Sequence, residues 1–599
     1  MNDKKIKTRD QIDQKYKWHL EAMYPDEGKW DADFEKASLM AEGFTRFSET
    51  LGQSPAALLS AFTARDELWL TAEKVFVYAR MRRDEDNRLT KYQAMSDKCR
   101  SMIAKASAAT SFFTPELLKI PEETLKAFIS QEEGLKLYEF AILDTLRLKA
   151  HVLSKPEENI MAQMSEITGA TNEIFTMLND ADMKFGTLKD EDGDDVELTH
   201  GNYIGFMESH HREVRKEAFT LMYAAYKKQI NTIAAAYNYN TKTDVVTARI
   251  RKYDSSLDAA LSGDNIPVSV YNNLISAVNE NLNTFHKYIE IRKKALKSDD
   301  LHMYDVYVPL VLLPKKEIPY ETAINLVEKG LSPLGGGYIS KMKHGISQGW
   351  IDVYENEGKT SGAYSFGCYN SMPYVLMNYA GKLKDVFTLA HELGHSMHSL
   401  YTRETQPFIY GGHSIFTAEV ASIVNESLLM NYLIESEKDL EIKKYLLNMH
   451  IEEFRGTLFR QVMFAEFERL THQASQDGEP LTAGWLCDEY GKLNRKYFGN
   501  SMVIDEDICY EWARIPHFYK AFYVYKYATG FSAAMAISNK ILNEGGAARD
   551  AYIEFLKSGE SDHPIELLKR AGVDMSTPEP VRLAIKSFQN LVEEFEKLV

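Results

Sequence analysis

Several features that would assign this chain to a specialised class of protein are missing from its sequence. The 599 residues include four cysteines, at positions 99, 368, 487 and 509, and no Cys-x-x-Cys pair. Free thiols in a reducing compartment therefore fit better than a disulfide framework. No run of about 18 apolar residues occurs, so no membrane span is expected. The N-terminus has positive charge but no apolar segment behind it, which predicts no signal peptide and a cytoplasmic location.

An excess of positive charge is missing as well. Lysine and arginine number 70 against 87 aspartates and glutamates, which gives a formal net charge of −17. A nucleic-acid-binding protein should present a basic surface, so nucleic acid is not an expected partner. Hydrophobic residues make up 44% and charged residues 26%, which is ordinary globular usage. The acidity is explained most simply by solubility.

The hydrophobic pattern predicts a mainly helical protein. Apolar residues recur at three- and four-residue spacing over most of the chain. Residues 185–199 break this pattern and predict a hairpin that turns at Asp192-Gly193. A second strand-rich patch spans about Gly349 to Tyr379. Glycines at 362 and 367 punctuate it, as expected where backbone approaches backbone or a ligand.

The pentad His391-Glu392-Leu393-Gly394-His395 carries the clearest chemical signal. Two histidines at i and i+4 share one helical face, so their rings can converge on one metal ion. Glu392 is placed to accept a proton from the attacking water. Gly394 costs about 1 kcal/mol in a helix interior relative to alanine, so we expect a packing reason for it. The pentad indicates a zinc-dependent peptide-bond hydrolase.

A catalytic zinc needs a third protein ligand. His398 lies about 10 Å along the helix axis from His391, too far to share an ion with it in an unbroken helix. The metzincin pattern fails, because its glycine and histidine positions hold His398 and Tyr401 here. A carboxylate on a following helix remains, and Glu419 supplies it. An exposed helical glutamate is the competing interpretation of Glu419.

The helix predicted to carry Glu419 is otherwise apolar. Glu419, Ser422 and Glu426 form a stripe at i, i+3 and i+7. Small residues beside Glu419 would allow this helix to approach its neighbour closely. Glu426 is predicted to orient a ligand histidine, again with an exposed glutamate as the alternative. Cobalt or manganese could occupy the same ligands.

The chain resembles a known family at several motifs. The segment His391–His398 followed by Phe416–Ser422 is similar to the thimet oligopeptidase family, and more closely to its oligoendopeptidase F branch. Residues 361–367, 513–519 and 521–530 are similar too. The resemblance implies a mainly α protein: a large two-lobed helical shell around a deep substrate channel, with a small β-sheet beside the zinc-binding helices. It also implies one Zn²⁺ per chain and cleavage of short peptides.

The resemblance also implies roles for a tyrosine-rich segment. By position relative to Phe531, Tyr525 matches the family's transition-state tyrosine, and His517 matches its substrate-binding histidine. Tyr519 and Tyr523 are further candidates for substrate binding, although core packing is the alternative for at least half of these tyrosines. If the segment is one helix, Tyr519, Tyr523 and Tyr527 share a face and Tyr525 points elsewhere.

The glycine-punctuated strand is a candidate substrate contact. Gly362 and Ala363 are predicted to pair with the peptide main chain as an added strand. A simple internal hairpin is the alternative. We therefore expect the strand-rich patch to lie close to the pentad.

The predicted organisation is an N-terminal helical region (1–115), a helical lobe that ends in a β-hairpin (116–200) and a zinc-metallopeptidase catalytic domain (201–599). The predicted function is a zinc metalloendopeptidase that acts on oligopeptides; no particular partner protein is predicted. A peptidyl-dipeptidase or carboxypeptidase of similar fold is the alternative, with Arg514 or a lysine to hold the substrate carboxylate. An inert peptide-binding scaffold is disfavoured by the intact Glu392.

Overall fold

The computed structural model describes residues 6–312 and 317–599. It is 72% helical, which confirms the predicted fold class. In chain order the α-helices are α1 (Glu27–Gly43), α2 (Pro55–Glu85), α3 (Thr90–Thr110), α4 (Phe113–Leu117), α5 (Glu122–Gln131), α6 (Glu139–Arg147), α7 (Lys155–Thr168), α8 (Ala170–Thr176), α9 (His200–Met207), α10 (Arg212–Ile250), α11 (Ser256–Ser262), α12 (Val268–Glu280), α13 (Leu282–Ala295), α14 (Tyr320–Gly330), α15 (Gly335–Ser347), α16 (Leu383–Thr405), α17 (Ile415–Ser436), α18 (Leu440–Phe454), α19 (Arg460–Gln476), α20 (Ala483–Phe498), α21 (Tyr525–Glu544), α22 (Gly546–Leu556), α23 (Pro564–Arg570) and α24 (Glu579–Glu596).

The strands are few and short. They are β1 (Thr187–Lys189), β2 (Asp195–Glu197), β3 (Leu301–His302), β4 (Ile351–Asp352), β5 (Tyr364–Phe366), β6 (Tyr374–Leu376) and β7 (Met502–Val503). Short 3₁₀ helices connect several elements, among them Glu506–Arg514 and Pro516–Tyr519.

Backbone contacts divide the chain into two compact units, each built from three stretches of sequence. The first unit comprises Met1–Lys149, Lys315–Tyr432 and Ile537–Val573, and the second comprises Ala150–Pro314, Leu433–Ala536 and Asp574–Val599. The domain boundaries at residues 115 and 200 stay a prediction.

The first unit holds the three-stranded sheet, in the order β4-β6-β5. Strand β4 pairs parallel with β6, and β5 pairs antiparallel with it, with Ser365 opposite Val375. Tyr374 and Leu376 of β6 are buried in a core with Trp18 and the helices α1 to α3. Strand β5 lies at the edge of the sheet and contacts α16. The predicted strand-rich patch and its position beside the pentad helix are confirmed.

The second unit is organised around the long helix α10. Tyr237 of α10 is fully buried and lies against Phe467, Trp512 and Phe518, with ring centroids 6.0–6.3 Å apart. The predicted hairpin is present as β1 and β2, whose register sets Leu188 opposite Val196. Gly193 occupies the turn with a φ of +86°, a conformation that favours glycine.

Residues 6–312 and 317–599 contain no helix that combines the length and the apolar character needed to span a bilayer.

Candidate metal centre

Helix α16 presents both pentad histidines on one face. Asp385 in its first turn accepts hydrogen bonds from the backbone N–H groups of Ala380 and Lys382, both at 2.9 Å, and so fixes the start of the helix. One turn apart, the His391 and His395 ring centroids lie 4.8 Å from each other. Their Nε2 atoms are separated by 3.2 Å. The Nε2 atoms of both imidazoles therefore point toward the same position, where one metal ion could bind.

Helix α17 brings a carboxylate to that place. Glu419 Oε2 lies 3.4 Å from His391 Nε2 and 3.5 Å from His395 Nε2. The Ser422 hydroxyl donates to the same oxygen at 3.1 Å, which fixes the carboxylate on its helix. One donor atom from each of the two histidines and Glu419 falls within 4.8 Å of the others, and this group is the one candidate metal cluster among the described residues.

The close approach of α16 and α17 depends on Gly394. A Cβ atom at this position would lie 2.6 Å from Ser422 Cα and 2.7 Å from the Ala421 carbonyl oxygen. Real side chains do not tolerate such distances, so the two backbones touch where a larger residue would separate them. The packing reason predicted for Gly394 is confirmed, and it holds Glu419 against the histidines.

Two residues of α17 support the metal centre by contacting His391 and the backbone of α16. Glu426 Oε2 lies 3.1 Å from His391 Nδ1, so the carboxylate can accept the Nδ1 proton and leave the Nε2 lone pair facing the cluster. Asn425 is fully buried; its Nδ2 donates to the Ala390 carbonyl at 3.0 Å, while its Oδ1 accepts from the Tyr338 hydroxyl at 3.1 Å. Sequence reasoning missed Asn425, although a polar residue in an apolar helix was a usable signal.

The charges of the centre are strongly coupled. Burial disfavours charge on His391, but hydrogen bonds to Glu419 and Glu426 outweigh this effect and raise its pKa to about 10. Hydrogen bonds from His391 and His395 hold the pKa of Glu419 well below its usual range. Without a metal the site therefore favours a proton between the histidines and the carboxylate. A divalent cation would supply the same positive charge and would leave both imidazoles neutral.

Glu392 faces the interior beside strand β5. It is 7% exposed, and burial raises its pKa, with the nearby His391 and His395 acting in the opposite direction. The backbone N–H of Ser365 also lowers this pKa, which places the edge strand next to the carboxylate. The Ser365 hydroxyl lies 2.8 Å from that of Ser396 on α16. A carboxylate with a raised pKa holds a proton more readily than an ordinary glutamate, which suits a group that accepts and returns a proton.

His398 is not part of the metal cluster. It is 2% exposed, and its ring stacks on His413 with centroids 3.7 Å apart. Burial lowers the pKa of His398 well below its usual range, so it is neutral. The sequence excluded His398 as a third ligand because it lies too far along the helix axis from His391. Its position in the structure agrees with that exclusion.

Strand β5 and the turn before it contain the two residues predicted to contact the peptide main chain. Gly362 has a φ of +86°, which favours glycine, and its carbonyl accepts from Asn378 Nδ2 at 2.8 Å. Ala363 follows it, and β5 begins at Tyr364. One edge of β5 pairs with β6, as an internal hairpin requires. Among the described residues no strand pairs with its other edge, so both interpretations of this strand remain compatible with the structure.

The predicted substrate-binding histidine lies in the second unit within an aromatic cluster. His517, in the 3₁₀ helix Pro516–Tyr519, is exposed, and its ring lies 6.0 Å from Tyr523 and 5.9 Å from Tyr527. The Tyr527 hydroxyl is 3.4 Å from His517 Nε2. Both tyrosines are partly exposed. The structure therefore brings together one imidazole and two phenols at a surface of this unit.

Tyr519 and Tyr525 point elsewhere. Tyr525 begins α21, is 0% exposed and packs against Tyr271 with ring centroids 5.1 Å apart. Tyr519 stacks on Phe175 at 4.4 Å. The segment is a 3₁₀ helix, a turn at Phe522 with φ +53°, and then an α-helix, so Tyr519 does not share one α-helical face with Tyr523 and Tyr527. The roles predicted for Tyr519 and Tyr525 stay predictions.

Arg514 is enclosed by groups of its own unit. Its guanidinium lies 4.8 Å from the Tyr203 ring centroid. Although burial disfavours its charge, Tyr223, Tyr203 and Glu511 raise its pKa above the usual range. It therefore already has partners and is a poor candidate for capturing a substrate carboxylate.

Two histidines one turn apart, a carboxylate from a second helix and a buried glutamate between the histidines form the arrangement of a metal-dependent hydrolase. Comparisons with known proteins agree with this class. Residues 205–587 match the model of Peptidase family M3, and residues 116–185 match a model described as Oligopeptidase F.

Individual relatives extend over nearly the whole chain. Oligopeptidase PepF of Bacillus subtilis (strain 168) is 45% identical over 99% of this chain and 89% of its own length. The crystal structure of oligoendopeptidase-F from Enterococcus faecium has a TM-score of 0.74 at 36% identity, covering 96% of this chain and 99% of the other. A solved Chlamydophila abortus structure reaches a TM-score of 0.95 at 36% identity, covering 99% and 100%. The chain belongs to peptidase family M3 and is a metallopeptidase.

Proposed function

We propose that this protein is a zinc metalloendopeptidase that hydrolyses internal peptide bonds of short oligopeptides. The observation that carries the proposal is the convergence of His391, His395 and Glu419 within 4.8 Å, with Glu392 on α16 between the two histidines. Names of relatives agree: the Enterococcus faecium structure is called an oligoendopeptidase, and the Bacillus subtilis relative an oligopeptidase.

The donor set fits one zinc ion per chain. Two imidazole nitrogens and one carboxylate oxygen are ligands that zinc accepts at about 2.0–2.2 Å, and a catalytic site leaves a further position open. When bound, zinc would polarise the scissile carbonyl and lower the pKa of a bound water toward about 7. Glu426 would hold the His391 ring in the tautomer that this binding requires.

Glu392 is proposed to move the proton. Its carboxylate takes a proton from the attacking water and then delivers it to the leaving amine. Burial favours the protonated form of Glu392, which supports the second half of that cycle. The serine contacts between β5 and α16 keep the carboxylate beside the edge strand, where Gly362 and Ala363 are proposed to pair with the peptide main chain.

Roles in substrate binding are also proposed for residues of the second unit. His517 and Tyr523 lie in the exposed aromatic cluster, which supports contact with peptide, and Tyr519 is a weaker candidate because it stacks on Phe175. A tyrosine hydroxyl is proposed to stabilise the oxyanion of the transition state. Tyr525 is the candidate that the family resemblance implies, and Tyr527 is the candidate that side-chain exposure favours.

A cytoplasmic location is proposed on the cysteines. All four are free thiols, and Cys99 and Cys368 are buried. Unpaired cysteines are typical of proteins from a reducing compartment.

The decisive experiment is the variant Glu392→Gln, which keeps the size of the side chain and removes the base. We expect it to retain about one zinc per chain by metal analysis and to lose at least 10²–10⁴-fold in kcat. Full activity of this variant would refute the mechanism. Hydrolysis of peptides blocked at both ends separates endopeptidase from peptidyl-dipeptidase or carboxypeptidase, because the latter two need a free C-terminal carboxylate.

A further inference from the structure

A cavity of about 700 Å³ lies within the first unit, next to the C-terminal half of α16. Its walls include Trp69, Glu73, Tyr369, Arg403, Phe408 and His413. We call it the Arg403 cavity. Its volume falls in the range of small-ligand sites, about 300–1,000 Å³, and aromatic walls with a few charged groups are typical of such sites.

Arg403 is a half-buried cation that the described chain leaves without an ion-pair partner. Its Nη1 atom is buried and has no hydrogen-bond partner among the residues that the structure describes. Burial lowers the pKa of Arg403, and Cys368 and Glu73 only partly oppose this effect. A guanidinium stays charged at any physiological pH, so burying it without a partner is costly. An anion in the cavity would give Arg403 a partner of opposite charge.

His413 supplies a second polar group at the same wall. Within the described chain, both of its ring nitrogens are buried and lack a hydrogen-bond partner. Burial and the charge of Arg403 lower its pKa to about 3, so the imidazole is neutral and offers one N–H donor. Its ring is held in place by stacking on His398 at 3.7 Å. A carboxylate can accept from a guanidinium and an imidazole N–H at once.

Other charges of the cavity are partly neutralised. Asp66 accepts a hydrogen bond from the Tyr138 hydroxyl at 3.0 Å and lies 3.9 Å from Arg65. Among the described residues, Glu73 is the carboxylate whose charge acts on Arg403, and it accepts from the Tyr369 backbone N–H at 3.5 Å. Burial raises the pKa of Glu73. Removing the charge of Glu73 should therefore make the cavity more attractive to an anion.

The cavity borders α16, the helix that carries both pentad histidines. Arg403 follows His395 by eight residues on α16, which is about 12 Å along the helix axis. Strand β5 contacts Ser396 and Glu392 and leads to Gly367, where a Cβ would lie 3.0 Å from Arg403 Nη1. An extended chain rises about 3.3 Å per residue, so it covers that distance in three or four residues.

We propose that the Arg403 cavity is a substrate subsite that binds a carboxylate three or four residues from the scissile bond. The proposal rests on the peptidase function above and adds a preference for acidic peptides. The carboxylate belongs to an aspartate or glutamate side chain or to the peptide C-terminus. Arg403 and His413 are its donors, and Glu73 limits the strength of binding.

The test compares kcat/KM for peptide pairs that differ by one charge. One set carries Glu or Gln in turn at each of four positions on either side of a fixed cleavage site, with both ends blocked. A second set carries a free or an amidated C-terminus. We expect a preference of about ten- to a hundredfold for the carboxylate at one position, the gain of a charge-assisted hydrogen bond. A preference in the first set assigns the carboxylate to a side chain, and a preference in the second set assigns it to the peptide C-terminus.

Three variants should change the ratio of kcat/KM between the peptide with the carboxylate and the peptide without it. Arg403→Met should bring it close to one, and His413→Phe, which keeps the ring stack, should lower it severalfold. Glu73→Gln should raise it. The same substitution at the exposed Arg100, paired with Asp97 on α3, is the control and should leave the ratio unchanged. Because each ratio compares two peptides on one protein, a partial loss of folded enzyme cancels.

The outcomes separate the subsite from the peptidase function. Hydrolysis without a carboxylate preference at any position, or a preference that survives Arg403→Met, would overturn the subsite and leave the proposed function intact. If no peptide is cleaved, the proposed function fails. The subsite is then tested by binding of the same Glu and Gln peptides, where equal affinities would overturn it.

Discussion

The metal centre and the tyrosine-rich segment are built in different ways. His391, His395 and Glu419 lie on two long helices whose backbones touch at Gly394. His517 and Tyr523 lie on a 3₁₀ helix and a turn, beside a residue with positive φ at Phe522. Regular helices fix side-chain directions by their period, whereas turns leave them to local packing. Residue spacing therefore predicts which side chains share a helical face in the first region, and it does not predict side-chain directions in the second.

The largest effect is expected for Glu419→Gln at the metal centre. The neutral amide is a poorer zinc ligand, so the variant should lose bound metal and at least about 10³-fold in kcat/KM. This loss corresponds to the several kcal/mol that a catalytic metal supplies. Metal analysis and peptide hydrolysis measure both effects. Glu435→Gln, at an exposed position of the same helix, is the control; full metal content in the Glu419 variant would exclude it as a ligand.

The second test compares two tyrosines of the turn-built region. An oxyanion donor contributes about 10²–10³-fold in kcat. Because Tyr527 is partly exposed and Tyr525 is fully buried, we expect Tyr527→Phe to lower kcat by this amount and Tyr525→Phe to lower it less. Steady-state kinetics on one peptide decide the matter. The reverse order would mean that the position implied by family resemblance outweighs exposure in this structure.

The third test weakens the metal centre without removing a ligand. Glu426→Gln replaces the carboxylate that lies 3.1 Å from His391 Nδ1. The loss of such an orienting partner typically costs 10–100-fold in metal affinity. Competition with a chelator of known affinity measures it. An unchanged zinc affinity would show that Glu426 does not orient the histidine.

The smallest effect is expected at the contact between the two helices. Gly394→Ala gains about 1 kcal/mol of helix propensity, but its Cβ would meet the α17 backbone at 2.6 Å. Overpacking of this kind costs about 1–3 kcal/mol, so we expect a net loss of unfolding free energy. Urea denaturation measures it. Gly205→Ala on α9, where a Cβ meets nothing within 4 Å, is the control and should not destabilise.

Much of the fold and part of the site could be predicted from the sequence. Helical periodicity, the hairpin at Gly193 and the strand-rich patch beside the pentad were all predicted and are present. The site residues Asn425 and Ser365 were not predicted, because their partners lie 35 and 31 positions away in the sequence. The cavity residues Arg403 and His413 were missed for a similar reason: an arginine and a histidine in isolation carry no sign of whether a partner will be present.

The sequence by itself determined which side chains can share a helical face. That is enough to place His391 beside His395 and to set Glu419, Ser422 and Glu426 in one stripe, because the helical period depends only on the backbone. Tertiary structure alone decided that Glu419 faces the histidines, that Tyr525 is buried while Tyr527 is not, and that Arg403 borders a cavity. Those outcomes depend on contacts between distant segments. The energies of these contacts are summed over many residues, so no single sequence motif determines them.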